Sequence, residues 1–346
     1  MNDYPKVSVC LPNYNYASFL QPCIDSVLEQ TFSDFELLVV DDASDDDSVQ
    51  IVQAYRDPRI RFHRHSRRLG AVPTWNHCLE LARGEYLAFL CADDFFLSDK
   101  LRCQVEVLAA DPAVGLVHTG GYWADESAEK ESLFSAVFPA DLQRYLSADR
   151  CSAAPEELRS LAGGYNYIHL SSAMFRRCCV DEQGRFSEHF PYAADWDLWL
   201  RIAAHYGVTY LACPLAVYRR HGRNLTRDMQ ASGQDLRDWY GVTVAAFRSW
   251  PVAAGDPRQV RRTAYQVIRE HLVAKVQAEY ARGDNRAVRR DLHTGFAHDR
   301  CVLLGGMGLY VKSWLGGRTT KRRLQGWLGR RSDRGDEPDD GTGTGA

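Results

Sequence analysis

Paired carboxylates follow two short apolar runs of the chain, and these residues are well suited to chemistry. Asp41 and Asp42 end one run, and Asp93 and Asp94 end another. Carboxylates that converge repel one another unless a cation or a donor-rich ligand separates them. A small number of oxygen ligands suits Mg²⁺ or Mn²⁺ held jointly with the phosphates of a substrate. The pattern indicates a site for a divalent cation and a nucleotide diphosphate.

The apolar runs that carry these acids have the length and composition of buried β-strands. Segments of helical periodicity separate them, with short connections between the two kinds of segment. Such alternation predicts an α/β fold with a parallel sheet covered by helices on both faces. Ligands of such sheets bind at the carboxyl ends of the strands. The predicted strands are residues 6–12, 35–40, 60–63, 86–90 and 114–118, and the predicted helices are 17–30, 44–55, 71–82 and 99–110.

Composition excludes several other classes of protein. The net charge of −3 over 346 residues provides no basic field, so no nucleic-acid partner is expected. The ten cysteines include no C-x-x-C pair, and neither a G-x-G-x-x-G motif nor a P-loop is present. Cysteines within apolar patterns, without a signal-peptide pattern, predict a cytoplasmic protein, either free or peripheral at the inner face of the cytoplasmic membrane.

The second half of the chain changes character at about residue 228. Before it, residues 168–175 are predicted to be a strand, an apolar helix begins near Asp195, and two short strands are expected at 208–211 and 216–218. After it, helical segments dominate. The expected division is a catalytic domain over 1–228, a helical region over 229–331 and a disordered tail over 332–346.

A basic stretch near the end of the chain is the candidate for membrane contact. Residues 318–331 contain six Lys or Arg and no acid, with Leu and Trp between them. An apolar segment precedes this stretch. A solvated helical face would also have this composition, but the interleaved apolar residues favour contact of 301–331 with a membrane surface.

Five motifs in this order carry a resemblance to a known family. The chain resembles the inverting family 2 glycosyltransferases, and the resemblance covers roughly residues 5–225. It implies a GT-A fold, in which a mixed, mostly parallel sheet is flanked by helices, here with a helical C-terminal extension. The motifs are Val7–Asn15, Gln30–Ser44, Ala82–Tyr86, Ala92–Asp94 and Ala194–Arg201.

The resemblance also implies roles for residues that bind the donor nucleotide and its sugar. Pro12 and Tyr14 are expected to line the nucleobase pocket, with Asn15 beside them. Asp41 is expected to hydrogen-bond the base, and Asp93 to contact the ribose or the donor sugar. Asn76 is a further donor-binding candidate through a phosphate, although it could equally be a packing residue of its helix.

Three other residues are expected to bind the metal or to accept a proton. The resemblance makes Asp94 a ligand of Mn²⁺ or Mg²⁺, and it gives His221 a contact with the metal or the diphosphate. Asp195 matches the base that takes the proton of the acceptor hydroxyl during a single inverting displacement. The commoner form of the acid motif has an acid two residues before Asp93, where this chain has Cys91.

The resemblance thus implies transfer of a sugar from a nucleotide-diphosphate donor, a UDP-sugar above all, to a hydroxyl acceptor. The acceptor would be a carbohydrate or a lipid-linked molecule of polysaccharide, lipopolysaccharide or glycolipid synthesis. Asp197 competes with Asp195 for the role of base, and Asp195 could be only a helix cap. Three alternatives stay open: a catalytically silent nucleotide-sugar binding module, a metal-dependent nucleotidyltransferase or phosphohydrolase, and an interaction protein acting through its helical C-terminus.

Overall fold

The computed structural model describes residues 4–299 and residue 302 of the chain. The chain divides into two compact units, the first ending at Glu270 and the second beginning at His271. The division at residue 228 expected from the sequence concerns where the activity resides, and it stays a prediction.

Two predictions fall on residues that the structure does not describe. The tail 332–346 lies wholly outside the described residues, and so does the membrane-contact stretch 301–331 except for Val302. Among the described helices, none combines the length and the hydropathy needed to cross a membrane.

Ten strands lie within the described residues, and they form one sheet. They are β1 (Val7–Asn13), β2 (Phe35–Asp41), β3 (Ile60–Arg64), β4 (Tyr86–Phe89), β5 (Phe95–Phe96), β6 (Val114–Ala124), β7 (Lys130–Leu133), β8 (Arg150–Ser152), β9 (Met174–Arg176) and β10 (Gly207–Arg219). The strand order is β3-β2-β1-β4-β9-β6-β10-β5, with β7 paired to β6 and β8 to β10.

The sheet is mixed but mostly parallel. Strand β1 runs parallel to β2 and to β4, and β2 runs parallel to β3. Strand β9 is antiparallel to both of its neighbours, β4 and β6, whereas β10 runs parallel to β6. The mixed sheet flanked by helices that the sequence predicts is confirmed, and helices also form the C-terminal end of the described chain.

Helices cover the sheet, and in the part of the chain that the structure describes there are twelve α-helices. They are α1 (Ala17–Leu28), α2 (Ser48–Ala54), α3 (Ala71–Leu81), α4 (Lys100–Ala110), α5 (Ala140–Tyr145), α6 (Glu156–Ala162), α7 (Arg177–Gln183), α8 (Ala194–Ala203), α9 (Leu225–Ser232), α10 (Gln234–Arg248), α11 (Arg258–Ala281) and α12 (Asn285–His298).

Central strands are largely apolar because both of their faces are covered, and the buried polar pair Ser8 and Glu36 is joined by a hydrogen bond of 2.6 Å. On β1, Val9 and Leu11 pack in the same layer as Ile24 of α1. Cys10, between them, points to the opposite layer, which contains Cys78 of α3. Successive side chains of a strand point to opposite faces, so a strand buried on both sides has no polar alternation. Because β1, β2 and β4 are packed on both faces, the positions of their ends are fixed relative to one another.

The predicted strand 168–175 is wrong over most of its length. Leu170–Ser172 form a 3₁₀ turn, and only Met174–Arg176 belong to a strand. The hydroxyl of Ser172 donates to the main-chain carbonyl of His169 at 2.8 Å. Serine side chains that bond nearby main-chain groups compete with strand formation, which explains the turn.

The two strands predicted at 208–211 and 216–218 are one strand, β10. Its pairing with β6 shifts register between Leu211 and Pro214 and again between Pro214 and Ala216. Proline cannot donate a hydrogen bond to the ladder, and it is found at such irregularities. The single long strand carries the chain from the far end of the sheet to the acids at its carboxyl edge.

Candidate active site

Three adjacent parallel strands end at the same edge of the sheet and carry the predicted acids. Strand β1 lies between β2 and β4, and Asn13 on β1 is in register with Asp41 on β2. The chain leaves β4 in a tight turn, in which the main-chain N–H of Asp94 donates to the carbonyl of Cys91 at 2.9 Å. The two acid pairs therefore follow neighbouring strand ends.

Asp41 is buried and held by a set of hydrogen-bond donors. Its carboxylate accepts from the side-chain amide of Asn13 at 2.8 Å and from the main-chain N–H of Ser44 at 2.9 Å. The Ser44 hydroxyl donates to it at 2.5 Å, and Arg64 lies 3.5 Å away. These donors fix the orientation of the carboxylate at the strand end.

The loop after β1 carries the other three residues predicted for nucleotide binding. Pro12 lies half-buried on β1, and the ring of Tyr14 lies under the Arg68 guanidinium, 4.1 Å from ring centroid to Cζ. Asn15 has a positive φ of 58° and exchanges two hydrogen bonds with Asp45, at 2.6 and 3.0 Å. This exchange pins the loop against the end of β2, so Tyr14 and Asp41 belong to one corner.

Asp42, by contrast, is occupied in holding the loop before α3. Its carboxylate accepts from the main-chain N–H groups of Leu69 and Gly70 at 2.7 and 2.8 Å. It also contacts Nδ1 of His65 at 2.8 Å. All of these contacts are internal, which favours a structural role for Asp42 over a ligand-binding one.

The second acid pair is tied to the chain that leaves β10. Asp93 accepts hydrogen bonds from Nε2 of His221 at 3.0 Å and from the side-chain amide of Asn224 at 2.9 Å. Asp94 accepts from the hydroxyl of Ser171 at 2.6 Å and from the main-chain N–H of Arg219 at 3.1 Å. Residues far apart in the sequence thus meet at one acid corner, which we define as Cys91, Asp93 and Asp94.

His221 presents one nitrogen to this acid corner. Its Nδ1 accepts the main-chain N–H of Arg223 at 3.1 Å, so in the neutral ring the proton is on Nε2, which donates to Asp93. The ring stacks on Phe19 with centroids 4.4 Å apart and meets Tyr16 edge-on at 5.7 Å. The packed ring leaves Nε2 as the atom that could bind a ligand.

The acid corner has the chemistry of a cation site. Burial raises the pKa of Asp94 well above its ordinary value, and the nearby charge of Asp93 raises it further. A cation between the two carboxylates would favour their ionised forms. One sulfur and carboxylate oxygens from the three residues of the corner lie within 4.8 Å of one another. These residues therefore fit a divalent cation, and His221 lies beside them.

Asp195 lies at the start of α8 and is half-buried. Burial raises the pKa of its carboxyl to about 6. One oxygen accepts the main-chain N–H of Trp196 at 2.7 Å, and the other accepts the side-chain amide of Asn166 at 3.3 Å. A carboxylate with a pKa near neutrality that is oriented by two donors is suited to general-base work.

The neighbours of Asp195 on α8 have structural contacts. Trp196 is a core residue and presents no aromatic surface beside the carboxylate. It is 1% exposed, and its indole N–H donates to the carbonyl of Leu161 at 3.2 Å. Asp197 forms an ion pair with Arg201 at 2.8 Å. This pairing favours Asp195 over Asp197 as the base.

One segment that the sequence interpretation left without a role connects the two parts of the site. Asn166 contacts Asp195, and five residues later Ser171 contacts Asp94. The Ser171 hydroxyl also accepts the main-chain N–H of Cys91 at 3.2 Å. No sequence signal marks these residues, since Asn166 precedes the strand expected at 168–175 and Ser171 lies within it. Asn224 was also missed, although it ends the Arg-Arg-His-Gly-Arg-Asn run that contains His221.

Asn76 is the predicted site residue that the structure does not bring to the acids. Its amide nitrogen donates to the carbonyl of Phe186 at 3.0 Å, and its oxygen accepts the N–H of the same residue at 3.1 Å. This reciprocal pair joins α3 to the chain before α8. These two hydrogen bonds support the packing role that the sequence left open for Asn76. Binding of a donor phosphate by Asn76 stays a prediction.

Solved structures with the same fold include two sugar-nucleotide complexes. S. aureus TarS in complex with UDP-GlcNAc has a TM-score of 0.61 and 15% identity, covering 93% of this chain and 89% of that chain. The mannosyltransferase PcManGT from Pyrobaculum calidifontis, in complex with GDP-Man and Mn²⁺, has a TM-score of 0.56 and 20% identity, covering 94% and 86%. At these identities the likeness shows the fold alone.

Sequence comparison places the chain in a family. An uncharacterized glycosyltransferase of Nostoc sp. is 40% identical, and the match covers 73% of this chain and 91% of the relative. Among other curated relatives, the chain spans between 20% and 73% of the relative's own length. The sequence model of glycosyl transferase family 2 matches residues 8–164. The chain belongs to glycosyltransferase family 2.

Proposed function

We propose that the protein is a metal-dependent, inverting glycosyltransferase that moves a sugar from a nucleotide-diphosphate donor to a hydroxyl acceptor. The observation that carries this proposal is the connection between the acid corner and Asp195. Asn166 and Ser171 of one short segment bond Asp195 and Asp94 respectively. A donor held at the acid corner would therefore have a base within the same site.

Donor binding is proposed for the strand-end residues already described. Pro12, Tyr14 and Asn15 would surround the nucleobase, and the ordered carboxylate of Asp41 would accept a hydrogen bond from it. Asp93 would contact the ribose or the sugar. The UDP-GlcNAc complex of TarS and the GDP-Man complex of PcManGT support a nucleotide-sugar donor, and we favour a UDP-sugar.

The cation would be held by Asp94, and by Nε2 of His221 after the ring proton moves to Nδ1 and the Arg223 contact to that nitrogen is released. When bound, Mn²⁺ or Mg²⁺ neutralises charge on the departing diphosphate. The buried pair of carboxylates, with the pKa of Asp94 raised by burial and by Asp93, supports a site built for positive charge. The Mn²⁺ named with PcManGT supports the same class of ion.

Asp195 would act as the base for a single displacement. Its carboxylate takes the proton of the acceptor hydroxyl as the oxygen attacks the anomeric carbon. The new carbon–oxygen bond forms on the face opposite the diphosphate, whose bond breaks and whose oxygen leaves with the electron pair. With a pKa of about 6, the carboxylate is mostly ionised at neutral pH and still basic enough to accept a proton.

The acceptor proposed is a hydroxyl group of a carbohydrate or of a lipid-linked sugar, in polysaccharide, lipopolysaccharide or glycolipid synthesis. The support is family membership, since the site residues described above contact the donor and the transferred proton rather than the acceptor's body. The acceptor class is therefore the part of the proposal furthest from the observed contacts.

Release of nucleoside diphosphate from a panel of nucleotide-sugars tests the proposal. The wild type is compared with Asp195→Asn in Mn²⁺, in Mg²⁺ and in chelator, with candidate saccharide acceptors present. We expect metal-dependent release of the diphosphate by the wild type and a large loss in the variant. Release of sugar phosphate or pyrophosphate would instead support a phosphohydrolase or nucleotidyltransferase, and binding without turnover would support a silent module.

A further inference from the structure

Cys91 lies at the acid corner, at the turn that follows β4. It is half-buried, so its side chain is neither sealed in the core nor freely exposed. Its main-chain N–H donates to Ser171, and its carbonyl accepts the main-chain N–H of Asp94 and, at 3.5 Å, the thiol of Cys23. The main chain of Cys91 is thus fixed from both sides, and its sulfur has a defined place beside the carboxylates.

The spacing of the three side chains fits one shared ion. The sulfur of Cys91 and carboxylate oxygens of Asp93 and Asp94 all lie within 4.8 Å of one another. In a tetrahedral site, metal–sulfur and metal–oxygen bonds of about 2.3 and 2.1 Å place neighbouring ligand atoms about 3.6 Å apart. The three atoms here are separated by at most 4.8 Å, so approaches of up to about 1 Å would bring them onto one ion.

Charge at this corner is partly balanced by the chain itself. Arg219 is 5% exposed, its main-chain N–H bonds Asp94, and its positive charge lowers the pKa of that carboxyl against the effect of burial. Two carboxylates and a thiolate around a divalent ion would carry an excess of negative charge. The nearby guanidinium offsets part of that excess.

We propose that the sulfur of Cys91 is a metal ligand and sets the ion preference of the site. Thiolates favour softer ions such as Co²⁺ and Zn²⁺, whereas oxygen-only sites suit Mg²⁺. The site therefore prefers Mn²⁺ over Mg²⁺ among the two ions named above, and it binds Co²⁺ more tightly than either. This inference rests on the proposed function for the presence of a cation, and it goes beyond it in naming the ligand and the preference.

Absorption spectroscopy with Co²⁺ tests the ligand directly. The full chain is titrated with Co²⁺ in the presence of UDP, and a sulfur-to-cobalt charge-transfer band in the near ultraviolet is expected for the wild type. The band is absent from Cys91→Ser. It persists in Cys213→Ser, a control that removes an exposed thiol outside the acid corner.

A second variant tests the preference. In Cys91→Asp an oxygen replaces the sulfur, so the ratio of the Mg²⁺ and Co²⁺ dissociation constants should fall by about tenfold or more, since the softer ligand is lost. Competition of Mg²⁺ against bound Co²⁺ measures this ratio. An unchanged ratio overturns the preference.

The outcomes separate this inference from the proposed function. A wild-type protein that binds Co²⁺ without the band, or a band that survives in Cys91→Ser, overturns the ligand role while leaving the transferase proposal standing. A Cys91-dependent band in a protein that binds no nucleotide-sugar supports the ligand role and contradicts the transferase proposal.

Discussion

At the scale of single residues, burial decides which acids can do chemistry. Asp41 ends β2 and Asp42 follows it, yet the carboxylate of Asp42 makes three internal contacts in the loop before α3. Asp195 and Asp197 share the first turn of α8, yet only Asp197 is neutralised by an arginine. Asp195 keeps a carboxylate whose pKa is about 6, because burial opposes its ionisation. Within the part of the chain that the structure describes, the candidate base is thus the acid of this pair that has no cationic partner.

Asp195→Asn should lower kcat by about two to four orders of magnitude, the usual contribution of a positioned base. The Kd for the nucleotide-sugar donor should stay within a few-fold, because the proposed role begins at the acceptor proton. Steady-state kinetics and donor titration measure the two effects. The matched control is Asp197→Asn, which should lower the thermal stability by breaking the Arg201 pair but leave kcat within a few-fold. Equal kcat losses in the two variants would contradict the assignment.

The direction in which stability changes with pH follows from the raised pKa of Asp195. The folded-state pKa of Asp195, about 6, lies above its ordinary value of 3.8, so the native state holds the proton more tightly than the unfolded chain. The contribution of this group to stability is therefore lost as the pH rises from about 4 through about 6. Asp195→Asn should unfold at a higher temperature than the wild type at pH 8, and the difference should shrink towards pH 4.

Activity should respond to pH in the opposite direction. The base works in its ionised form, so kcat should fall as the pH drops through about 6. A wild type that is more stable than Asp195→Asn at every pH, or a kcat that is flat between pH 5 and pH 8, would contradict the raised pKa.

At the scale of elements, the segment between α6 and β9 determines how the site is assembled. It is not a strand but a 3₁₀ turn, and the turn lets Asn166 and Ser171 reach different acids. A straight strand would alternate its side chains between the two faces of the sheet. The local departure from regular structure therefore couples the proposed base to the proposed metal site.

Ser171→Ala should weaken Mn²⁺ binding by about 10- to 100-fold, the usual cost of losing a group that orients a metal ligand. The hydroxyl donates to Asp94 and accepts from the main chain of Cys91, so both would lose an orienting contact. The control is Ser172→Ala, since that hydroxyl donates only to the carbonyl of His169. Titration of Mn²⁺ in the presence of UDP measures the effect. Equal affinities in the two variants would contradict the orienting role.

Gly84→Ala should destabilise the junction of β1 and β4 by about 1–3 kcal/mol, since overpacked sites must shift their backbone. An added Cβ would lie 2.5 Å from the main-chain nitrogen of Ser8 and 2.7 Å from the carbonyl carbon of Val7. Denaturant unfolding measures the change. Gly222→Ala is the control, because a Cβ there would meet nothing within 4 Å. A neutral result at Gly84 would mean that the strand ends are held less rigidly than the packing indicates.

At the scale of the whole molecule, the sheet was readable from the sequence where its strands are buried on both faces. Strands β1, β2 and β4 are mainly apolar runs that end in polar residues or are followed by acids, and these signals are local. The Asn166 and Ser171 contacts were not readable, because they depend on side chains that meet across more than 25 positions of the chain. Sequence patterns report which faces are buried, whereas such contacts depend on the packed geometry.

The candidate site was likewise predictable from the sequence only in part. Asp94, Asp93 and Asp41 were found because each ends a strand, and strand ends are visible in the sequence. Most partners of Asp93 and Asp94 come from the end of β10 and the loop beyond it. The sequence pattern divided β10 into two strands at Pro214. His221 was found through the resemblance, while Asn224 beside it was passed over, although both bond Asp93.

The measurement that tests the central claim most directly is thermal unfolding of the full chain with a panel of nucleotide-sugars, in Mn²⁺, in Mg²⁺ and in chelator. A ligand that binds only the native state at about 100 times its Kd stabilises it by about 2.7 kcal/mol. We expect at least one donor to raise the unfolding temperature when metal is present, and Asp94→Asn to abolish that rise. If no nucleotide-sugar stabilises the protein, with or without metal, the claim that this chain is a nucleotide-sugar transferase is contradicted.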